Sequence, residues 1–72
     1  MRTTVKFNYS LKEEGYNESD RKIEEKEFKA ITKDNNATIK VVDDNTIIHE
    51  YETTENIGWY FRNMEDCTIE NN

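Results

Sequence analysis

The sequence predicts an α+β fold, a small four-stranded, mainly antiparallel sheet with one helix, and three observations carry that reading. Apolar and polar residues alternate strictly from Val5 to Leu11. Between Asp20 and Lys33, Ile23, Phe28, Ala30 and Ile31 fall on one face of a helix. From Ala37 to Tyr51, two apolar-bearing segments flank Asp43-Asp44-Asn45, a composition suited to a hairpin turn. An all-β meander is the alternative, because Phe28 to Thr32 can instead pair as a strand with Ala37 to Val42 across Asp34-Asn35-Asn36.

The first strand presents Val5, Phe7, Tyr9 and Leu11 on one side and Lys6, Asn8 and Ser10 on the other, and Lys12 to Ser19, with Gly15 and Asn17, reads as a connection. Ser19 is placed to cap the helix, acids cluster early, and Lys29 and Lys33 sit late, where they complement the helix dipole. Arg21/Glu25 and Glu25/Lys29 are spaced four apart. In the hairpin, a three-residue loop Asp43-Asp44-Asn45 sets Val41 opposite Ile47, Ile39 opposite His49 and Ala37 opposite Tyr51, which gathers the apolar residues on one face. A two-residue loop would instead set Ile39 against Glu50 and Ala37 against Glu52. The longer loop also wants a left-handed residue at Asn45.

For Ile57 to Arg62, aromatic crowding and Gly58 favour a strand with Ile57, Trp59 and Phe61 on one face. The competing helix would place Ile57, Tyr60, Phe61 and Met64 at i, i+3, i+4 and i+7. Residues 1–63 are expected to form a single small domain and 64–72 a frayed or disordered acidic tail. The helix is expected to cover a sheet face built by Val5, Phe7, Tyr9, Ile39, Val41, Ile47 and Tyr51.

A chain of 72 residues buries only about 60% of its unfolded surface, so its stability is expected to be modest. Cys67 is the only cysteine, which rules out an intramolecular disulfide and suits a reducing compartment. No apolar run approaches the roughly 18 residues needed to span a bilayer, and the first residues lack a signal-peptide stretch. A soluble, cytoplasmic protein with no membrane partner is therefore expected. On that view the glycosylation patterns at Asn8, Asn17 and Asn36 are chance matches in an Asn-rich chain.

The charge is divided. Residues 1–40 carry eight acids and nine bases, a balance of +1, whereas residues 41–72 carry eight acids against Arg62 alone, a balance of −7 that brings the net charge to −6. Trp59, Tyr60 and Phe61 are suited to stacking on bases, but a phosphate backbone approaching this half would be repelled, so direct nucleic-acid binding is not expected. Catalysis is not expected either. His49 falls between Ile47 and Tyr51 on the inward face, where it reads as a packed imidazole, and the Cys67 thiolate is disfavoured by Glu65 and Asp66. Asp43-Asp44-Asn45 lacks the alternating acids and the glycine of a calcium loop, and Gly15 and Gly58 are too isolated to cradle phosphates. No cofactor and no metal are expected; an enzyme would need a site shared between subunits.

The remaining reading is a non-enzymatic interaction protein. Asp43, Asp44, Glu50, Glu52 and Glu55, spread over the hairpin and the turn after it, are expected to offer carboxylates to a basic host protein that handles nucleic acid, with Trp59 and Tyr60 as aromatic anchors. That is mimicry of nucleic acid by charge. In kind, a short acidic chain rich in Asn, Lys, Glu and Ile is similar to small proteins of phages and other mobile elements from AT-rich genomes, and this likeness implies an inhibitor of a host enzyme. The alternative is a self-assembling structural or regulatory homo-oligomer subunit that buries Trp59, Tyr60 and Phe61 between copies.

Overall fold

Thr3, Val5 and Phe7 alternate with Arg2, Thr4 and Lys6, and this period of two makes Arg2–Phe7 the first strand, β1, of the computed structural model. The structure describes residues 1–53, 57–62, 64 and 66–71. After β1 come helix α1 (Glu18–Thr32), strands β2 (Thr38–Asp43) and β3 (Thr46–Glu50), the short helix α2 (Gly58–Arg62) and strand β4 (Cys67–Asn71). The four strands form one sheet in the order β2-β3-β1-β4, with every neighbouring pair antiparallel. This is the expected small α+β fold with a short second helix, and the sheet does not close into a barrel. The all-β alternative fails because residues 18–32 are helical.

The hairpin keeps the expected register, Val41 opposite Ile47 and Ile39 opposite His49, but reaches it by another route. Asp43 pairs with Thr46 across a two-residue turn, and a bulge between Val41 and Asp43 absorbs one residue. The bulge restores the parity that a plain two-residue turn would have inverted. The Asn45 N–H donates to the Asp43 carboxylate at 3.0 Å, so the turn is held by side-chain chemistry. Asn45 is not left-handed: among the described residues positive φ falls at Gly15, Lys33 and Asp66.

Helix α1 begins earlier than expected because Asn17, not Ser19, caps it. Asn17 Oδ1 accepts the Asp20 N–H at 3.1 Å and the Asp20 carboxylate accepts the Asn17 N–H at 3.0 Å, a reciprocal capping box. Its buried stripe is also rotated from the expected one. Phe28 and Thr32 are buried, with Arg21, Glu24, Glu25 and Ile31 half-buried beside them, while Ile23 stays 60% exposed and Ala30 is exposed. Charged residues share this stripe because they have work to do at the sheet. Arg21 Nη1 donates to Ile39 O at 2.9 Å and to Glu25 Oε2 at 2.7 Å, and that same Glu25 oxygen accepts the Ile39 N–H at 2.8 Å. The ion pair thereby satisfies the outward-facing backbone groups of Ile39 in edge strand β2.

Three further expectations are corrected. Strand β1 ends at Phe7, and the chain then folds over the hairpin: the Leu11 N–H donates to Asp44 O at 2.7 Å, Leu11 is buried, and Tyr9 is left 37% exposed. Residues 58–62 are helical because the i, i+3, i+4 spacing packs Ile57 and Phe61 into the core and Tyr60 against it. Cys67–Asn71 is no frayed tail. It pairs along β1 from Thr3↔Asn71 to Phe7↔Cys67, with Cys67 and Ile69 half-buried on the helix side and Thr68 and Glu70 exposed. Thr3 Oγ1 adds a hydrogen bond to Asn71 Oδ1 at 2.9 Å.

The core joins Val5, Phe7, Ile39 and Ile47 of the sheet to Phe28 of α1 and Phe61 of α2. Replacing fully buried Phe28 by Ala is expected to cost about 3–5 kcal/mol, whereas Ile23→Ala should change stability by less than about 0.5 kcal/mol despite its larger apolar index. Urea unfolding of the two variants checks this, and comparable losses would contradict the observed helix phase.

Candidate functional site

The carboxylates expected to act together lie in separate places. Asp43 and Asp44 sit at the hairpin turn, where they serve the fold. The Asn45 N–H is the main influence holding the Asp43 carboxyl below its ordinary range, and the Ser10 hydroxyl, followed by the Lys12 N–H, does the same for Asp44. Glu50 is at the other end of β3, a span of about 14 Å at ~3.4 Å per residue. It lies on the sheet face opposite the helices, 3.8 Å from Arg2. Glu52 is exposed beyond the strand, its N–H bonded to Asp34 Oδ2 at 2.6 Å. Glu55 lies outside the described residues.

The strand order explains the dispersal. Because β1 inserts between β3 and β4, Lys40, Ile48, Thr4 and Glu70 form one row across the open face, and Lys6 lies between Thr46 and Thr68 in the next. Bases from the first half of the chain are thus set among acids from the second.

A different group of acids does converge with aromatic rings. A cleft of about 560 Å³ opens between the end of β1, the connection to α1, and the segment before β4. Phe7, Leu11, Ile47 and Met64 supply apolar surface, and the Phe7 and Tyr9 rings stand 5.2 Å apart at 39°. Glu14, Glu24 and Asp66 bring three carboxylates to the same space. Tyr16 also lines it; its hydroxyl is buried and completes no hydrogen bond of ordinary geometry.

Burial is the main cause that raises the Glu24 carboxyl above its ordinary range, and Glu27 and Asp20 push the same way. The Tyr16 hydroxyl lies near enough to favour the ionised carboxylate, though burial outweighs it. Arg21, one turn earlier, is committed to Glu18 at 2.8 Å and to Glu25 at 2.7 Å. Tyr60 belongs to this region: its hydroxyl is raised by burial and then by Glu24, Tyr16 and Glu27. Trp59, its neighbour on α2, is 53% exposed, with ring centroids 6.2 Å apart. Both expected aromatic residues therefore lie on α2, and Tyr60 sides with Glu24 and Glu27.

Sequence reasoning missed Glu14, Tyr16 and Glu24 for a physical reason. They belong to the half whose charges balance, and only the true phase of α1 reveals that Glu24 turns inward. Among the described residues, no group of three or more His, Cys, Asp or Glu side chains is placed to hold a metal ion. Cys67 donates its thiol to Met64 O at 3.0 Å, and burial followed by Asp66 raises it away from the reactive thiolate. No described helix is long and apolar enough to cross a membrane. No protein-family model matches the chain, and no match to it is found among curated proteins or among solved structures.

His49 is fully buried, with Phe28, Tyr60 and Phe61 rings at 5.0, 5.9 and 5.4 Å and neither ring nitrogen hydrogen-bonded. Burial pulls its pKa down to about 4, so the folded protein holds it neutral. An unfolded chain protonates this group near pH 6.5. The unfolded state therefore binds more protons between those values, and stability should fall as pH drops through that window, by up to about 1.4 kcal/mol per pH unit. Urea titrations at pH 7.5, 5.5 and 4.5 should show this slope in the natural protein and a flatter one in His49→Leu. Glu24, with the opposite sign, is common to both proteins and cancels in the comparison. Equal slopes would show that His49 is not the group responsible.

Proposed function

We propose that this protein is a non-enzymatic binding module for a basic protein, engaging it through exposed aromatic rings framed by carboxylates. The observation that carries the reading is the cleft beside Tyr9, which Glu14, Glu24 and Asp66 line with no lysine or arginine among the described lining residues. Trp59, exposed beside Tyr60, supplies the kind of large, rigid anchor that dominates protein interfaces. The net charge of −6 favours fast encounter with a cationic surface. A partner that handles nucleic acid suits this chemistry, because its groove already accepts anions and planar rings; the protein would then act as an inhibitor occupying that groove. Asp43, Asp44, Glu50 and Glu52 contribute to the long-range field in this reading rather than to one contact.

The reading predicts that proteins retained by the immobilised chain from lysate of its native host are basic, and that most are released between about 50 and 300 mM salt. Trp59→Ala should weaken retention by about 2 kcal/mol, roughly thirtyfold. Retention of neutral proteins, or retention indifferent to both salt and Trp59→Ala, would rule it out.

Self-assembly is the second reading, favoured by the free edge of β4. The Asn8 N–H donates to Asp66 O, so by strand alternation Thr68 and Glu70 bond to β1 while Cys67, Ile69 and Asn71 turn their backbone groups outward. Antiparallel pairing of two such edges about Ile69 would set Thr68 against Glu70 of the second copy. Sedimentation at micromolar concentration decides: a monomer excludes an obligate oligomer.

A further inference from the structure

We infer that the cleft between the end of β1 and α1 takes an arginine side chain of the partner protein, its guanidinium lying against Tyr9 and bonding to Glu24 and the Tyr16 hydroxyl. This deepens the proposed function and rests on it. An open cleft of about 560 Å³ falls within the size range of ligand sites, and is ample for one long side chain with its flanking backbone. Its apolar wall, from Phe7, Leu11 and Met64, suits the three-methylene stem of arginine, while the ring of Tyr9 offers a π face to a planar cation.

The polar end of the cleft selects for charge. Glu24 is half-buried, no ion pair among the described residues reaches it, and after burial it feels the like charge of Glu27, then the Tyr16 hydroxyl, which favours its ionised form, then the like charge of Asp20. Tyr16 adds a buried oxygen with an unused lone pair. A half-buried carboxylate with no counterion among the described residues carries a free-energy cost that one incoming guanidinium relieves, and the same cation can use the free lone pair of the Tyr16 oxygen. Arg21, one turn before Glu24 on α1, does not serve it, because it is held by Glu18, Glu25 and Ile39 O. Arginine fits better than lysine because its fork addresses two acceptors at once and its plane stacks on an aromatic ring.

The test is NMR titration of the full chain with Nα-acetyl-arginine methylamide, its neutral citrulline analogue and its lysine analogue. The arginine probe should give saturable shifts at Tyr9, Tyr16 and the amides around Glu24, with a dissociation constant of about 10 mM. Citrulline should bind at least about tenfold more weakly and lysine about threefold more weakly. Glu24→Gln, with its well-dispersed spectrum as proof of folding, should lose about fivefold or more of the arginine affinity. If that variant does not fold, Glu14→Gln at the exposed rim should lose about twofold. Citrulline or lysine binding as tightly as arginine, an unchanged constant in the folded Glu variant, or no saturation up to about 50 mM would overturn the inference. Salt-sensitive capture of basic proteins that survives Glu24→Gln would sink the cleft assignment alone; arginine binding without any such capture would sink the partner reading.

Discussion

Phe28 is where the layers of this protein meet. A chain with so few apolar residues cannot build two independent cores, so the sheet, α1 and α2 must share one. The Phe28 ring contacts His49 and Tyr51 from the β3 side and Tyr60 and Phe61 from α2, at centroid distances of 5.0 to 6.4 Å. Edge-on and tilted geometries dominate, as expected where ring edges seek ring faces. The same concentration explains how an imidazole is tolerated with both nitrogens unpaired: His49 behaves as one more ring in an aromatic cluster.

Around that centre the fold deals separately with its two sheet edges. The Arg21–Glu25 pair does for β2 what a neighbouring strand would do, supplying one donor and one acceptor to Ile39. It also ties the orientation of α1 to the sheet, since the pair can reach Ile39 only when Phe28, one turn further on, points at the core. β4 has no comparable guard among the described residues. Charge, helix phase and edge protection are thus one problem with one solution in α1, and Glu24, next in sequence to Glu25, is left turned toward the cleft without a counterion among the described residues.

Much of the fold was legible in the sequence where local pattern and tertiary demand agree. The alternation around Val5 and Phe7 and the hairpin register at Val41/Ile47 and Ile39/His49 are set by which side chains must face inward, and those pairings form. The bulge that delivers the register was not legible, because a bulged two-residue turn and a three-residue loop satisfy the same parity. Helix α1 was visible but its phase was not: Ile23 draws the apolar stripe one way, whereas the hydrogen bonds of Arg21 and Glu25 to Ile39 draw it another. β4 was hidden because its two partly buried residues, Cys67 and Ile69, sit among acids. The candidate site suffered most, since composition locates charge along the chain, while the place of β1 between β3 and β4 decides which charges become neighbours.

That central place of β1 also bears on how the molecule assembles. Thr3 pairs with His49 on one side and with Asn71 on the other, so the strand at the start of the described chain is flanked by segments 46 and 68 positions away. Closing such wide loops costs entropy before any contact rewards it. The β2-β3 hairpin and α1 are short-range and able to nucleate early; β1 docks onto β3 afterwards, and β4 can complete the sheet only on an edge that β1 has already created. Ribosomal synthesis therefore leaves β1 without a partner until β3 has emerged, a window in which its bare flanks are most open to pairing with the wrong chain.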